Sequence, residues 1–191
     1  METYKRINED YLDNCDIQLD DINVMTDVRE ELDEWSHNVY MGLSFNPQML
    51  PDSFYKVHTL KELENIIKRT MSECGYECSL NWIDVTQVKN MNWLFSESKF
   101  NGDISRWDVS HVEDMQAMFY NSAFDGSNGS IVDWDVSNVT NMHAIFTKCT
   151  FCQDISNWNC ENVRFLDQAF NGTNIPNKFK PKAYQELLKK K

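Results

Sequence analysis

From residue 83 onward the apolar positions of the chain recur in register. Ile83-Asp84-Val85-Thr86-Gln87-Val88 returns as Trp107-Asp108-Val109-Ser110-His111-Val112 and as Trp134-Asp135-Val136-Ser137-Asn138-Val139. It returns once more, with heavier substitution, as Trp158-Asn159-Cys160-Glu161-Asn162-Val163. By their numbers the starts lie 24, 27 and 24 residues apart, the longer step being taken up by Gly126-Ser127-Asn128-Gly129-Ser130. Other columns keep the same register: Met91, Met115, Met142 and Leu166; Phe95, Phe119, Phe146 and Phe170; Phe100, Phe124, Phe151 and Ile175; Ile104, Ile131 and Ile155. One such unit cannot bury its own apolar face, so columns at a fixed period imply units that stack and bury one another's.

Within a unit, Val112, Met115, Met118 and Phe119 fall at i, i+3, i+6 and i+7, which predicts about two helical turns. Ser110 with Glu113 three residues on has the form of a capping box, and Thr86, Ser137 and Glu161 share the Ser110 column. The stretches Phe100 to Trp107 and Phe124 to Trp134 carry turn residues and then a short extended piece, read as one strand per unit. The expected architecture over residues 82–175 is therefore an α/β solenoid of about four coils. A stack needs closed ends. Residues 51–81 supply a helical N-terminal cap: Thr59 and Glu62 form a capping box, Leu60, Leu63, Ile66, Ile67 and Met71 form an apolar face, and Gly75 suits a left-handed stop. Residues 176–191 supply the other cap, with Ile175, Pro176, Phe179 and a segment Ala183 to Leu188, followed by a basic tail.

Composition sharpens this picture. Of 191 residues 41% are hydrophobic and 25% charged, enough for a packed core. The net charge of −12 repels nucleic acid and anionic membranes, so no direct nucleic-acid or membrane partner is expected. Lys178, Lys180, Lys182, Lys189, Lys190 and Lys191 read as a solubilising end. Residues 1–50 form an acidic appended segment, with 12 acidic residues against Lys5, Arg6 and Arg29 for a local balance of −9. The start Met1-Glu2-Thr3-Tyr4-Lys5-Arg6 has no apolar export region and no stretch reaches the ~20 apolar residues of a membrane span, which places the expected location in the cytoplasm.

The pattern W-D-V-S-x-V-x-x-M-x-x-[MI]-F, clearest from Trp107 to Phe119 and from Trp134 to Phe146, resembles the BspA-like leucine-rich repeats of bacterial surface proteins. The joining segment Phe100-Asn101-Gly102-Asp103-Ile104-Ser105-Arg106-Trp107 carries the F-x-x-D-I-S-x-W part of the same motif. The resemblance spans roughly residues 55–175. It implies a right-handed leucine-rich-repeat-like solenoid of binding modules, often adhesive, with no family-wide catalytic residues. Surface members of the family carry an export signal and many repeats. A short copy without either fits an intracellular role or a phage or other mobile-element product, acting in the host cytoplasm in the latter case.

Candidate chemistry is sparse. The Asp84, Asp108 and Asp135 ladder is spaced one unit apart, which suits turn and capping hydrogen bonds better than carboxylates converging for acid–base work. The Trp107, Trp134 and Trp158 column lies beside apolar columns and reads as core. Cys149-x-x-Cys152 with Cys74 and Cys78 has the ligand types for zinc, but Cys160 lies in a valine column and Cys149 in the small-residue column of Ser98 and Ser122. His37, His58, His111 and His143 are scattered, and no phosphate-cradling loop is present in the sequence. No catalytic residue, metal ligand or cofactor is therefore assigned. The position before each unit start varies and is expected to face solvent: Trp82, Arg106, Asp133 and Asn157 form the candidate partner-binding row. The expected function is a non-enzymatic module that binds another protein. The alternative is an inhibitor of a host defence or nucleic-acid-handling protein whose acidic residues 1–50 compete for a basic groove. Metal-assisted catalysis at the acidic residues is the weakest of the three readings.

Overall fold

The computed structural model describes residues 55–189, so expectations for the acidic segment 1–50, with Cys15 and His37, and for Lys190 and Lys191 lie outside the described residues. In chain order the elements are strand β1 (Tyr55–Lys56), helix α1 (Leu60–Cys74), strand β2 (Ile83–Asp84), a 3-10 turn (Asn177–Phe179) and helix α2 (Lys182–Lys189). β1 and β2 pair in parallel with Tyr55 opposite Ile83.

Helices form at both flanks of the repeats, over Leu60–Cys74 and Lys182–Lys189. Thr59 accepts a hydrogen bond from the Glu62 N–H while the Glu62 carboxylate accepts from the Thr59 N–H, closing the capping box. Leu63 and Ile67 are buried, and Gly75 ends the helix at φ 85°, a conformation glycine adopts without strain. At the other end Tyr184 on α2 meets Phe170 edge to face with ring centroids 4.7 Å apart, and Lys180 lies over both rings.

The expected α/β solenoid of four coils does not hold. The regular elements among the described residues are two α-helices, one 3-10 turn and a two-stranded parallel sheet of two residues per strand. The repeats contain neither the predicted helix nor the predicted strand; they are built from turns. Ser110 and Glu113 form no capping box: the Ser110 N–H is taken by the Asp108 carboxylate and Glu113 pairs with Lys89 at 2.9 Å.

The backbone explains the difference. Where two helical turns were expected, consecutive i to i+3 turns follow one another, as in Ser96 N–H to Trp93 C=O and Ser98 N–H to Phe95 C=O. Trp93, Ala117, Ala144 and Gln168 take φ between 52° and 62°, as do Glu97, Asn121 and Lys148 between 50° and 58°. Left-handed residues end any helix, at about 1–2 kcal/mol each for an L side chain. The offset comes from the neighbouring unit. Met91, Trp93, Phe95 and Glu97 donate their N–H groups to the carbonyls of Asp114, Gln116, Met118 and Tyr120, at 2.7–2.9 Å. Met115, Ala117, Phe119 and Asn121 donate likewise to the next unit, and Met142, Ala144, Phe146 and Lys148 to the one after. An isolated two-turn helix would leave four N–H and four C=O groups without partners at its ends, whereas this arrangement pairs alternate groups across units. Asn90, Asp114, Asn141 and Phe165 are bridged in parallel in succession, which fixes the register.

The column Glu97, Asn121, Lys148 and Gly172 is left-handed throughout, with Gly172 at φ 70°. Glu97 is exposed, so Glu97→Gly removes strain without removing packing. A gain of about 0.5–1 kcal/mol in unfolding free energy is expected, the relieved strain being partly offset by the greater freedom of the unfolded chain. Chemical denaturation of the two proteins side by side measures it, and a loss of stability would contradict the strain assignment.

The core lies between these turn segments. Phe95, Phe119, Phe146 and Phe170 stack with centroids 5.6, 5.5 and 5.9 Å apart, and Phe100, Phe124 and Phe151 form a second file at 6.3 and 6.0 Å. Within each unit the two files touch at 4.5–4.6 Å.

Candidate functional site

The starts of the second, third and fourth units each alternate an inward tryptophan with an outward neighbour. Trp107, Trp134 and Trp158 are buried, as their column predicts. The Trp107 ring N–H donates to the Leu80 carbonyl at 2.9 Å and that of Trp158 to the Ile131 carbonyl at 3.3 Å, each reaching back to the preceding unit. With the tryptophan pinned inward, the residue before it turns to solvent: Arg106, Asp133 and Asn157 are all exposed. The backbone at Arg106 is further held by its N–H donating to the Asn81 side-chain carbonyl at 3.0 Å.

Trp82 does not join this row. Its side chain is 2% exposed, set edge to face against Tyr55 with centroids 6.4 Å apart. The reason is β1, which pairs beside the first unit through the Tyr55 N–H to the Trp82 carbonyl at 2.9 Å and the Val57 N–H to the Asp84 carbonyl at 3.0 Å. The later units have no such strand beside their starts among the described residues.

The aspartate ladder makes turns. Asp84, Asp108 and Asp135 accept from the N–H two residues on, at Thr86, Ser110 and Ser137, with distances of 2.9–3.0 Å. Asn159 does the same for Glu161 at 3.1 Å, so the position needs an acceptor oxygen rather than a charge. The hydrogen bonds from Ser110 and Ser137 hold the carboxyls of Asp108 and Asp135 below the usual range. At Asp84 burial opposes this, but the Thr86 bonds and nearby Lys56 still bring the net shift down. Such carboxylates are anionic hydrogen-bond acceptors engaged within their own turns, which is not the pairing that proton transfer requires.

The cysteines divide by depth. Cys78, Cys149 and Cys160 are buried and Cys152 is exposed. Burial pushes the thiols of Cys78 and Cys160 up to about 11, which suppresses the thiolate that binds metal or attacks an electrophile. The Cys149 sulfur lies 3.1 Å from the Phe124 carbonyl, filling the small-residue column. Among the described residues no three His, Cys, Asp or Glu side chains gather in a metal-binding group.

Two surface features are not among those the repeat pattern predicts. His111, Asn138 and Asn162 share a column whose side chains reach the preceding unit's carbonyls, at Val85 (3.0 Å), Ser110 (2.7 Å) and Ser137 (2.7 Å). On another side, Trp93 is 51% exposed and packs on Tyr120 at 5.9 Å, with Lys148 over the Tyr120 ring at 5.9 Å. The asparagines were a usable signal for the first. The second has none, because Trp93 shares its column with Ala117, Ala144 and Gln168.

No described helix is long and apolar enough to cross a membrane. A family model described as a Mycoplasma protein of unknown function, DUF285, matches residues 61–182, more than half of the chain and all of the repeat region. No curated protein and no solved structure matches the chain.

Proposed function

We propose, from the premise that the chain belongs to the DUF285 family, that it is a non-enzymatic module that binds another protein through the exposed row Arg106, Asp133 and Asn157. The observation that carries this reading is the contrast at the unit starts. A fixed frame of buried tryptophans presents at one repeated position a cation, an anion and an amide, all exposed. Variable polar side chains on a repeated scaffold are how stacked-repeat proteins build recognition surfaces. The Trp-Asp-Val-Ser copies also resemble BspA-like repeats, for which an adhesive role is implied. The role needs no cofactor and no metal.

The test is an affinity capture from cell lysate with the full chain and with an Arg106→Ala, Asp133→Ala double variant whose circular dichroism matches it. Loss of the captured protein, with affinity down by about tenfold or more, supports the row. Undiminished capture removes the row from the account. The balance of −9 within residues 1–50 favours a second reading, inhibition of a protein with a basic groove. That reading expects the captured partner to elute at high salt whatever the state of the row.

A further inference from the structure

Along the turn segments 91–97, 115–121 and 142–148 the hydrogen bonds to the next unit run one way, whereas beside them Glu113, Ala123, Thr140 and Arg164 donate back to the preceding unit. Alternate N–H groups of each turn segment point to the following unit, and alternate carbonyls point to the preceding one. The series must therefore end in two unlike edges. In the last unit, the N–H groups of Leu166, Gln168, Phe170 and Gly172 occupy the donor positions, and none has an acceptor among the described residues. In the first unit, the carbonyls of Asn90, Asn92, Leu94 and Ser96 occupy the acceptor positions, and none has a donor among the described residues. Both edges are flanked by exposed aromatic surface: Phe165 is 57% exposed at the donor edge and Trp93 51% at the acceptor edge. Gln168 and Gly172 are exposed as well.

An ordinary β-strand cannot satisfy either edge. Its rim alternates N–H and C=O, so against a row of donors half its groups would face like against like. The row needs a segment whose carbonyls all lie on one side, which requires the alternating left-handed backbone that these turn segments have. The acceptor edge of this chain is such a segment, with its carbonyls at the same two-residue spacing. We propose that the donor edge of one copy docks on the acceptor edge of a second copy, giving head-to-tail self-association. The contact repeats the one already made between Met142, Ala144, Phe146 and Lys148 and the carbonyls of Phe165, Asp167, Ala169 and Asn171. In its register Trp93 of the second copy follows Gln168, as Ala144 follows Ala117 within the chain. At the donor end Tyr184 and Lys180 cover Phe170, so the contact is confined to the backbone edges and their flanking side chains, and is weak. It is heterologous and does not use the Arg106 row, so each copy keeps one edge open for another.

Sedimentation velocity of the full chain over about 10 μM to 1 mM tests this. The average mass is expected to rise with concentration past that of a dimer. Two variants separate the edges: Phe165→Lys with Gln168→Lys charges the donor edge, and Asn92→Lys with Trp93→Lys charges the acceptor edge. Each alone is expected to stop at the monomer, with unchanged circular dichroism and melting temperature. Mixed at equal concentration they form a one-to-one dimer and nothing larger, because each supplies the edge the other has lost. A wild-type chain monomeric throughout overturns the proposal. So do variants that associate like the wild type, and a mixture that stays monomeric.

Discussion

Phe119→Ala is expected to lower the free energy of unfolding by about 3–5 kcal/mol, the most of any single truncation in the repeats. The ring lies in the middle of one aromatic file and against the other. It stacks on Phe95 at 5.6 Å and on Phe146 at 5.5 Å, and meets Phe124 in its own unit at 4.6 Å. It is fully buried, and its neighbours are held by backbone hydrogen bonds on both sides, the Phe95 N–H to Met118 and the Phe119 N–H to Ile145. Collapse into the vacated space is therefore restricted, and the cavity cost adds to the lost transfer energy. Phe165→Ala, by contrast, removes a ring 57% exposed and is expected to change stability by less than about 0.5 kcal/mol. Equilibrium unfolding in urea, followed by circular dichroism, compares the two. Similar losses for both would mean that the ring files add little beyond their share of hydrophobic area.

Gly102→Ala is expected to cost about 2–4 kcal/mol although it adds a single methyl. A Cβ at this position would lie 1.9 Å from the Cys78 carbonyl oxygen and 2.7 Å from the Phe100 ring. The first of these is backbone, and it also accepts the Asp103 N–H at 3.2 Å beside the Ser79–Asp103 bridge. Relief of the clash thus requires the segment joining α1 to the first unit to move away and give up that hydrogen bond. Gly75→Ala is the contrasting case, with open space around the new methyl and only the cost of its positive φ. A melting temperature that falls no further for Gly102→Ala than for Gly75→Ala would show that the close approach relaxes freely.

What the sequence conveyed was burial and register. The methionine, phenylalanine and tryptophan columns are core, the capping box of α1 and the stop at Gly75 form, and the Asp-x-Ser pattern makes turns. What it did not convey was the backbone path between columns. Val112, Met115, Met118 and Phe119 are all buried, as an apolar helix face would be, but consecutive turns can place the same residues on one side. The two paths differ in where the N–H groups point, and side-chain periodicity is blind to that. One clue was available: the column Glu97, Asn121, Lys148, Gly172 contains asparagine and glycine, the residues most at ease with positive φ. Trp82 departs from the exposed row for another reason. What covers it is β1, which lies outside the repeats, so repeat logic alone could not anticipate it.

The one-way hydrogen bonding of the turn segments has an electrical consequence. The peptide group joining Asp114 to Met115 directs its C=O at the preceding unit and its N–H at the following one, and the groups ending at Ala117, Phe119 and Asn121 do the same. Their dipoles add along the stacking direction, as those of an α-helix add to roughly half a charge at each end. Here several such rows run side by side. The end bearing Leu166 to Gly172 is thus positive and the end bearing Asn90 to Ser96 negative, whatever side chains they carry. Asp167 is exposed at the first and Lys89 at the second, each on the side where its charge is favoured. Every turn segment in register lengthens this row of aligned peptide dipoles without reversing it.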